Sequence, residues 1–422
     1  MCKQAVLGYV FTVQHSTPRS ENQSTCSQSQ AFVSREAGQE AVIDDEFLPV
    51  PEEESAAALM PETGTSMWAV IFAGGIGTRF WPLSTTQRPK QVLPLVNERP
   101  LVADTVSRLA PLISAERVLV ITSSDIAGVL HGAIPEIPQA NMLIEPRPLG
   151  TAAALAWGAR EVARRAGEDT VFTALHADLS VGFPELFRDS LRRAAALASA
   201  DPHLVLLGAE PTRAETGFGY LQPGETIDPL LAGVSNAARR VEHFVEKPAA
   251  PLAELLIEEG ALWNTGIAVW RARTVLDELE LHTHELRHGL PLLLEDDHAG
   301  FADLVSSVSL ERGLLERSER VVVLPTSFDW DDVGTWAALR RVRELDDTGN
   351  GVMGQVHCVD CSGNVIHADD SCIVAYGISG LIVVSIRGLT FVTTLERAAE
   401  LGPLLDSLPG SLRFNPGARQ PG

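Results

Sequence analysis

From Trp68 onward the chain alternates between two kinds of apolar pattern. WAVIFAGG (68–75) is an unbroken apolar run ended by glycines, as expected of a buried strand that leaves into a turn. LVADTVSRLAPL (101–112) repeats its apolar positions at helical spacing and predicts a helix. RVLVIT (117–122) predicts the next strand, and TAAALAWGAREVARRAG (151–167) a long helix stopped by glycine. TVFTALHAD (170–178) and LVLLGAEP (204–211) predict two further strands. Strands separated by helices imply an α/β fold built on a mostly parallel mixed sheet. Ligands of such sheets sit beyond the carboxyl ends of the strands, where both the glycine turn at 74–77 and Asp178 fall.

The texture changes twice. After residue 348, short β-rich runs are broken by Gly, Asn and Asp, with no helical period. Residues 349–410 therefore read as a small β-rich domain, a short β-helix in form, with a last helix over RAAELGPLLDSL (397–408) and a tail at 411–422. Residues 1–66 are rich in Ser, Gln and Glu and have no sustained period; Lys3, Arg19 and Arg35 face ten acids there, a net of -7. They read as a disordered extension. A start of translation at Met60 or Met67, the latter directly before the first strand, is the other reading. The segment 67–348 is left as the catalytic or binding domain.

The formal net charge of -22 argues against nucleic acid or an anionic membrane surface as the main partner. Any phosphate site must then be a local basic pocket. Five cysteines, an odd number with two in the polar extension, do not make a secreted disulfide framework, and a reducing, cytoplasmic setting is expected. No apolar run is long enough to span a bilayer, and no signal-peptide pattern opens the chain.

AGGIGTRFWPLSTTQRPKQ (73–91) is the densest stretch. Gly74, Gly75 and Gly77 let backbone N–H groups approach a ligand, and successive N–H groups favour an anion. Arg79 supplies a fork and Lys90 a point charge for phosphate oxygens. No GK[ST] follows, so this is not a Walker loop; Phe80 replaces the third glycine of a dinucleotide fingerprint. On residues alone, the choice lies between a polyphosphate cradle and a tight strand-to-helix turn.

The full string resembles the signature of the sugar-1-phosphate nucleotidyltransferases, and its WPLS and PKQ portions resemble the branch that joins GTP to mannose 1-phosphate. Further motifs follow in family order: LHAD (175–178), GFGYLQP (217–223), FVEKP (244–248), WNTGIAVW (263–270), VSLERGLLE (308–316) and DWDDVGTW (329–336). The resemblance implies a Rossmann-like catalytic domain with a small C-terminal β-domain, and a homodimer. It implies GTP and mannose 1-phosphate as substrates, GDP-mannose and pyrophosphate as products, and magnesium as cofactor.

By the same resemblance Asp178 and Asp332 hold the metal, with Asp331 a rival for the second position. Arg79 and Lys90 handle the phosphates together with Gly74, Gly75, Gly77 and Thr78. The base lies over Gly74, Gly75 and the stretch 145–152 with Glu145, Gly150 and Thr151, and Gly219, Glu246, Lys247, Asn264 and Thr265 take the sugar phosphate. The chain departs from the family's pattern at Leu149 and Gly150, at Leu179 where a histidine is usual, and at Glu311 where an aspartate is usual. A related enzyme acting on another sugar phosphate or nucleotide, and an inactive regulatory subunit that only binds nucleotide sugar, are the alternatives.

Other conspicuous residues read as scaffold. His357, Cys358, Cys361, His367 and Cys372 fit no common zinc spacing, and the cysteines read as small buried apolar groups. His282, His284 and His288 read as a solvated helix face. Trp157, Trp263, Trp270 and Trp336 read as packing, with the role of Trp81 left open.

Overall fold

The structure is a computed structural model that describes residues 66–414 apart from 76, 229 and 231–235. The expectations for residues 1–65 and for the tail beyond 414 lie outside the described residues. The first strands are β1 (Trp68–Phe72), β2 (Val118–Ser123), β3 (Met142–Glu145), β4 (Val171–His176) and β5 (Leu179–Val181). Then come β6 (Leu204–Ala209), β7 (Gly219–Thr226), β8 (Arg239–Glu246), β9 (Leu262–Arg271), β10 (Val321–Thr326) and β11 (Trp330–Asp332). The C-terminal strands are β12 (Gly351–Val359), β13 (Val365–Tyr376), β14 (Leu381–Ile386) and β15 (Leu389–Thr394).

Among the described residues the main sheet has nine strands in the order β3-β2-β1-β4-β9-β6-β10-β8-β7. The half carrying β1 to β4 is parallel, as the apolar runs suggest. The other half is not: β9 runs antiparallel to both β4 and β6, and β8 runs antiparallel to β10 and β7. The sheet is therefore mixed rather than mostly parallel.

Along β1, Ala69 and Ile71 face one core and Val70 and Phe72 the other, so every residue of this central strand except its first is buried. Helices Leu101–Leu109 and Pro184–Ala200 cover the first face. Helices Thr151–Ala166 and Ala272–His282 cover the second. No helix among the described residues is long and apolar enough to cross a membrane.

The C-terminal sheet has the order β12-β13-β14-β15, the first three successive strands pairing in parallel and the last forming an antiparallel hairpin. Asn364 Nδ2 donates to Asn350 Oδ1 at 2.8 Å, stacking two successive turns, and each amide also donates to a turn carbonyl. This sheet shares a core with the glycine loop. Phe80, Trp81 and Leu83 are buried with Val333 and Trp336 against Val365, Ile382, Val384 and Phe391.

The helix expected over 397–408 is broken. A short 3-10 turn, Arg397–Ala399, gives way to a helix at Gly402–Ser407, because Pro403 lacks the N–H a helix interior needs and fits only in a first turn. Cysteine burial is likewise uneven: Cys361 is buried, Cys358 half-buried and Cys372 exposed.

Candidate active site

The glycine loop leaves β1 and doubles back so that its two cations meet the acids. Gly77 takes φ 73°, and a Cβ there would lie 2.4 Å from Lys90 Cβ, so only glycine lets the start of the loop lie on its end. Lys90 is 6% exposed and its Nζ stands 2.7 Å from Asp178 Oδ2. Gln91, a residue the sequence reading passes over, donates from Nε2 to the Gly75 carbonyl at 2.7 Å and closes the loop from the other side. Thr78 and Arg79 begin a 3-10 turn and are exposed. Arg79 has no bonded acid among the described residues, which leaves its fork open to an anion.

The acids come from two strands that pair. Asp178 follows β4, and Asp332 ends β11, where it stands opposite Leu179 of β5. Successive side chains of a strand point to opposite faces. Asp332 accordingly faces Asp178 and Arg79, its Oδ2 and the Arg79 Nη1 both lying close to Gly334. Asp331 faces away and is bridged by Arg341 Nε at 2.6 Å and Arg213 Nη2 at 3.4 Å, so Asp332 and not Asp331 is the acid beside Asp178.

Burial pushes the Asp178 carboxyl up, but Lys90 and then His176 pull harder and hold it below the usual aspartate range. Burial raises Asp332, with the Asp178 charge adding to it, and Lys90 and Arg79 only partly offset the rise. Two carboxylates thus share one ammonium, and the second is left under-neutralised.

Beside them opens a cavity of about 320 Å³ bounded by Gly74, Gly75, Glu145, Gly150, Thr151 and His176, among others. Gly150 takes φ 87°, and a Cβ there would lie 2.3 Å from the Val308 carbonyl oxygen. The departure from the family's pattern at this position is therefore a backbone requirement of this chain. Thr151 Oγ1 accepts from Leu310 N at 2.8 Å. Glu145 has its pKa raised to about 7 by burial, with no cation to offset it. His176 packs against Phe72 with ring centroids 5.5 Å apart and the planes tilted, and lies close to Gly266. It went unremarked in the sequence, although it ends β4 only two residues before Asp178.

The remaining segment joins β7, β8 and β9. Gly219 pairs with Glu246, and its missing side chain makes room for that carboxylate and for Phe244. Lys247, at φ 51°, reaches back so that Nζ lies 2.7 Å from Glu246 Oε1, and its side chain is 62% exposed. Asn264 Oδ1 accepts from Gly266 N, leaving its amide donor without a partner among the described residues. Thr265 differs from its neighbours. It is 1% exposed, donates to the Leu207 carbonyl at 2.7 Å and accepts from Ile267 N, so it holds β9 to β6 rather than a ligand. A larger cavity of about 620 Å³ lies on the Asp331 side, lined by Arg213, Trp263 and Arg341, and contains neither Asp178 nor Asp332.

This geometry stands beside three similarities. A mannose-1-phosphate guanylyltransferase of Sinorhizobium fredii is 30% identical over 350 residues, spanning 80% of this chain and 67% of that one. Mannose-1-phosphate guanylyltransferase RfbM of Salmonella typhimurium is 31% identical, spanning 81% of this chain and 72% of its own. A crystal structure from Thermus thermophilus, described as a mannose-1-phosphate geranyltransferase, superposes with a TM-score of 0.74 at 33% identity over 81% of this chain and 98% of that one. The family model described as Nucleotidyl transferase matches residues 68–348, from β1 through the acid-bearing β11. A glycine loop facing two acids is thus placed within that matched span, and the chain belongs to the nucleotidyl transferase family and is one of its enzymes.

Proposed function

We propose that the chain transfers GMP from GTP to α-D-mannose 1-phosphate, giving GDP-mannose and pyrophosphate. The observation that carries this is the convergence of Lys90, Arg79 and Asp332 on Asp178, which itself lines the Glu145 cavity. The names of the relatives supply the substrates. A phosphate oxygen of the sugar attacks the α-phosphorus in line, and the bond to the bridging β-phosphate oxygen breaks. The nucleophile is already an anion, so no covalent enzyme intermediate is required. The difficulty is bringing two anions together, and preorganised cations answer it. Lys90 stands where charge develops on the α-phosphate, and exposed Arg79 takes the departing β- and γ-phosphates. The backbone at Gly74, Gly75, Gly77 and Thr78 follows the triphosphate. Lys247 with Glu246, Gly219 and Asn264 holds the sugar phosphate, while Glu145, Gly150 and Thr151 surround the base.

The donor set also suits magnesium, which takes one or two carboxylates and completes its shell with phosphate and water. Asp178 and Asp332 would hold the ion, and their shared, under-neutralised charge favours a second cation. When bound, magnesium supplies charge neutralisation on the phosphates. The reading includes a homodimer, a cytoplasmic location and a domain boundary near 348. It also includes a short β-helix form for the C-terminal sheet, which its successive parallel strands support.

A panel of nucleoside triphosphates against sugar 1-phosphates, read by pyrophosphate release, tests the substrates. GTP with mannose 1-phosphate should have the highest kcat/KM, and a better pair ends this reading. Asp178→Asn should lose nearly all magnesium-dependent turnover while keeping the circular dichroism of the parent.

A further inference from the structure

Arg88 and Asp369 have no part in the site described above, yet they tie the cationic loop to the C-terminal sheet. Arg88 Nη1 and Nη2 donate to Asp369 Oδ2 and Oδ1, both at 2.8 Å, a two-bond fork between residues 281 positions apart. The Arg88 backbone is fixed as well, exchanging N–H···O bonds with Thr85 at 3.1 and 3.0 Å. Only Pro89 separates Arg88 from Lys90. Its ring locks φ, here -67°, which removes one of the few dihedrals that could absorb a shift of Arg88 before Lys90.

The rest of the loop is held by the same body. Trp81 packs edge-on to Phe391 at 5.5 Å, and Phe80 packs on Trp336 at 5.3 Å. Trp336 Nε1 donates to the Trp81 carbonyl at 3.0 Å, four residues beyond Asp332. Lys90 Nζ passes 5.5 Å from the Phe80 ring on its way to Asp178. The ammonium is therefore located by contacts whose far side is β13 and β15, not by the main sheet alone.

We propose that the C-terminal sheet is the platform that sets the working position of the phosphate loop, with Arg88 and Asp369 as positioning residues for Lys90. This rests on the guanylyl-transfer reading above. Catalysis by a preorganised charge falls steeply when that charge moves, by about a hundredfold for a displacement of an ångström. A simple surface ion pair would leave turnover untouched.

The test uses the full chain and the substrate pair that the parent turns over fastest in the panel. A pair other than GTP and mannose 1-phosphate then sinks the substrate reading while leaving this experiment readable. Arg88→Ala, Asp369→Ala and the double variant are compared for kcat, both KM values and thermal midpoint. Each single change should lower kcat about 10- to 100-fold, with a much smaller change in KM for the sugar phosphate. The double variant should be no worse than the singles, because both remove one interaction. Arg88→Lys, which keeps the charge without the fork, should fall between. If an alanine variant fails to fold, Asp369→Asn, nearly isosteric, carries the same expectation for kcat. Singles that keep the parent's kcat while the thermal midpoint falls would reduce the pair to a structural strut and overturn the proposal, as would losses that multiply in the double variant.

Discussion

Glu145 lies in the 320 Å³ cavity that the proposed reading gives to the base, as a carboxyl whose pKa burial has raised to about 7. Guanine offers two adjacent donors, N1–H and the 2-amino group, whereas adenine presents an acceptor at the first of these positions. An ionised carboxylate accepts both guanine donors, so Glu145 can select the base. Binding then draws on the ionised form, and the KM for GTP should fall as pH rises through about 7 and level off above it. Glu145→Gln should flatten that profile. It should also cost GTP about 1.5–3 kcal/mol in kcat/KM while changing ATP much less. Equal losses for both nucleotides would remove Glu145 from base selection. Stability should move the other way. A buried acid with a raised pKa weakens the fold above its unfolded value, so the glutamine variant should melt higher than the parent at pH 8 and lose that advantage below about pH 4. In the glycine loop, Gly77→Ala forces a Cβ to within 2.4 Å of Lys90 Cβ at a left-handed φ. That change should reduce kcat more than it reduces the melting temperature.

The two-stranded β5–β11 ribbon decides which of its two neighbouring acids stands beside Asp178. Asp332 turns toward Asp178 and Arg79 and Asp331 to Arg213 and Arg341, as strand alternation requires of neighbours. Asp331→Ala should therefore destabilise the fold by about 1–2 kcal/mol, between an exposed and a buried ion pair, and leave kcat nearly unchanged. A loss of turnover comparable to that of Asp332→Ala would contradict the separation. This separation was legible in sequence only once WDD is known to be a strand. The parallel half of the sheet was legible because its strands are continuous apolar runs. Strand direction in the other half was not, since β8 reads RRVEHFVE, half polar, and an apolar run such as β9 carries no sign of its direction. Arg79, Lys90 and Asp178 stood out as charges beside glycine or strand ends. Gln91, His176 and Arg88 did not, because what they do depends on partners brought in by the fold: the Gly75 carbonyl, Gly266 and Asp369.

Across the molecule, one core joins the glycine loop, the segment after Asp332 and the C-terminal sheet, so the weakest part of that core under acid limits the whole. His367 lies in the C-terminal sheet, 2% exposed, with Arg343 Nη2 donating to its Nδ1 at 3.0 Å and the Trp336 ring edge-on. Burial, and then the Arg343 charge, push its pKa from 6.5 down to about 3. Between those values the unfolded chain binds a proton that the folded chain refuses. Stability must then fall as pH drops from 6.5 toward 3, by at most roughly 5 kcal/mol, and fall no further on this account below it. Two carboxylates beside the same sheet act in the same direction. Asp369 is held below the usual range by Arg88, and Asp346 is pulled to about 2 by Asn350 and then Thr348. Each contributes stability above its unfolded value that is lost as pH falls through its folded one. Mild acid should accordingly loosen the C-terminal sheet before the nine-stranded sheet, and turnover should fall with it. Hydrogen exchange of the C-terminal strands against the nine-stranded sheet between pH 7 and pH 4 separates the two, and urea midpoints over the same range report the total stability. His367→Gln cannot take up the proton and should show a shallower loss across that range than the parent; identical slopes would show that His367 does not set the acid limit.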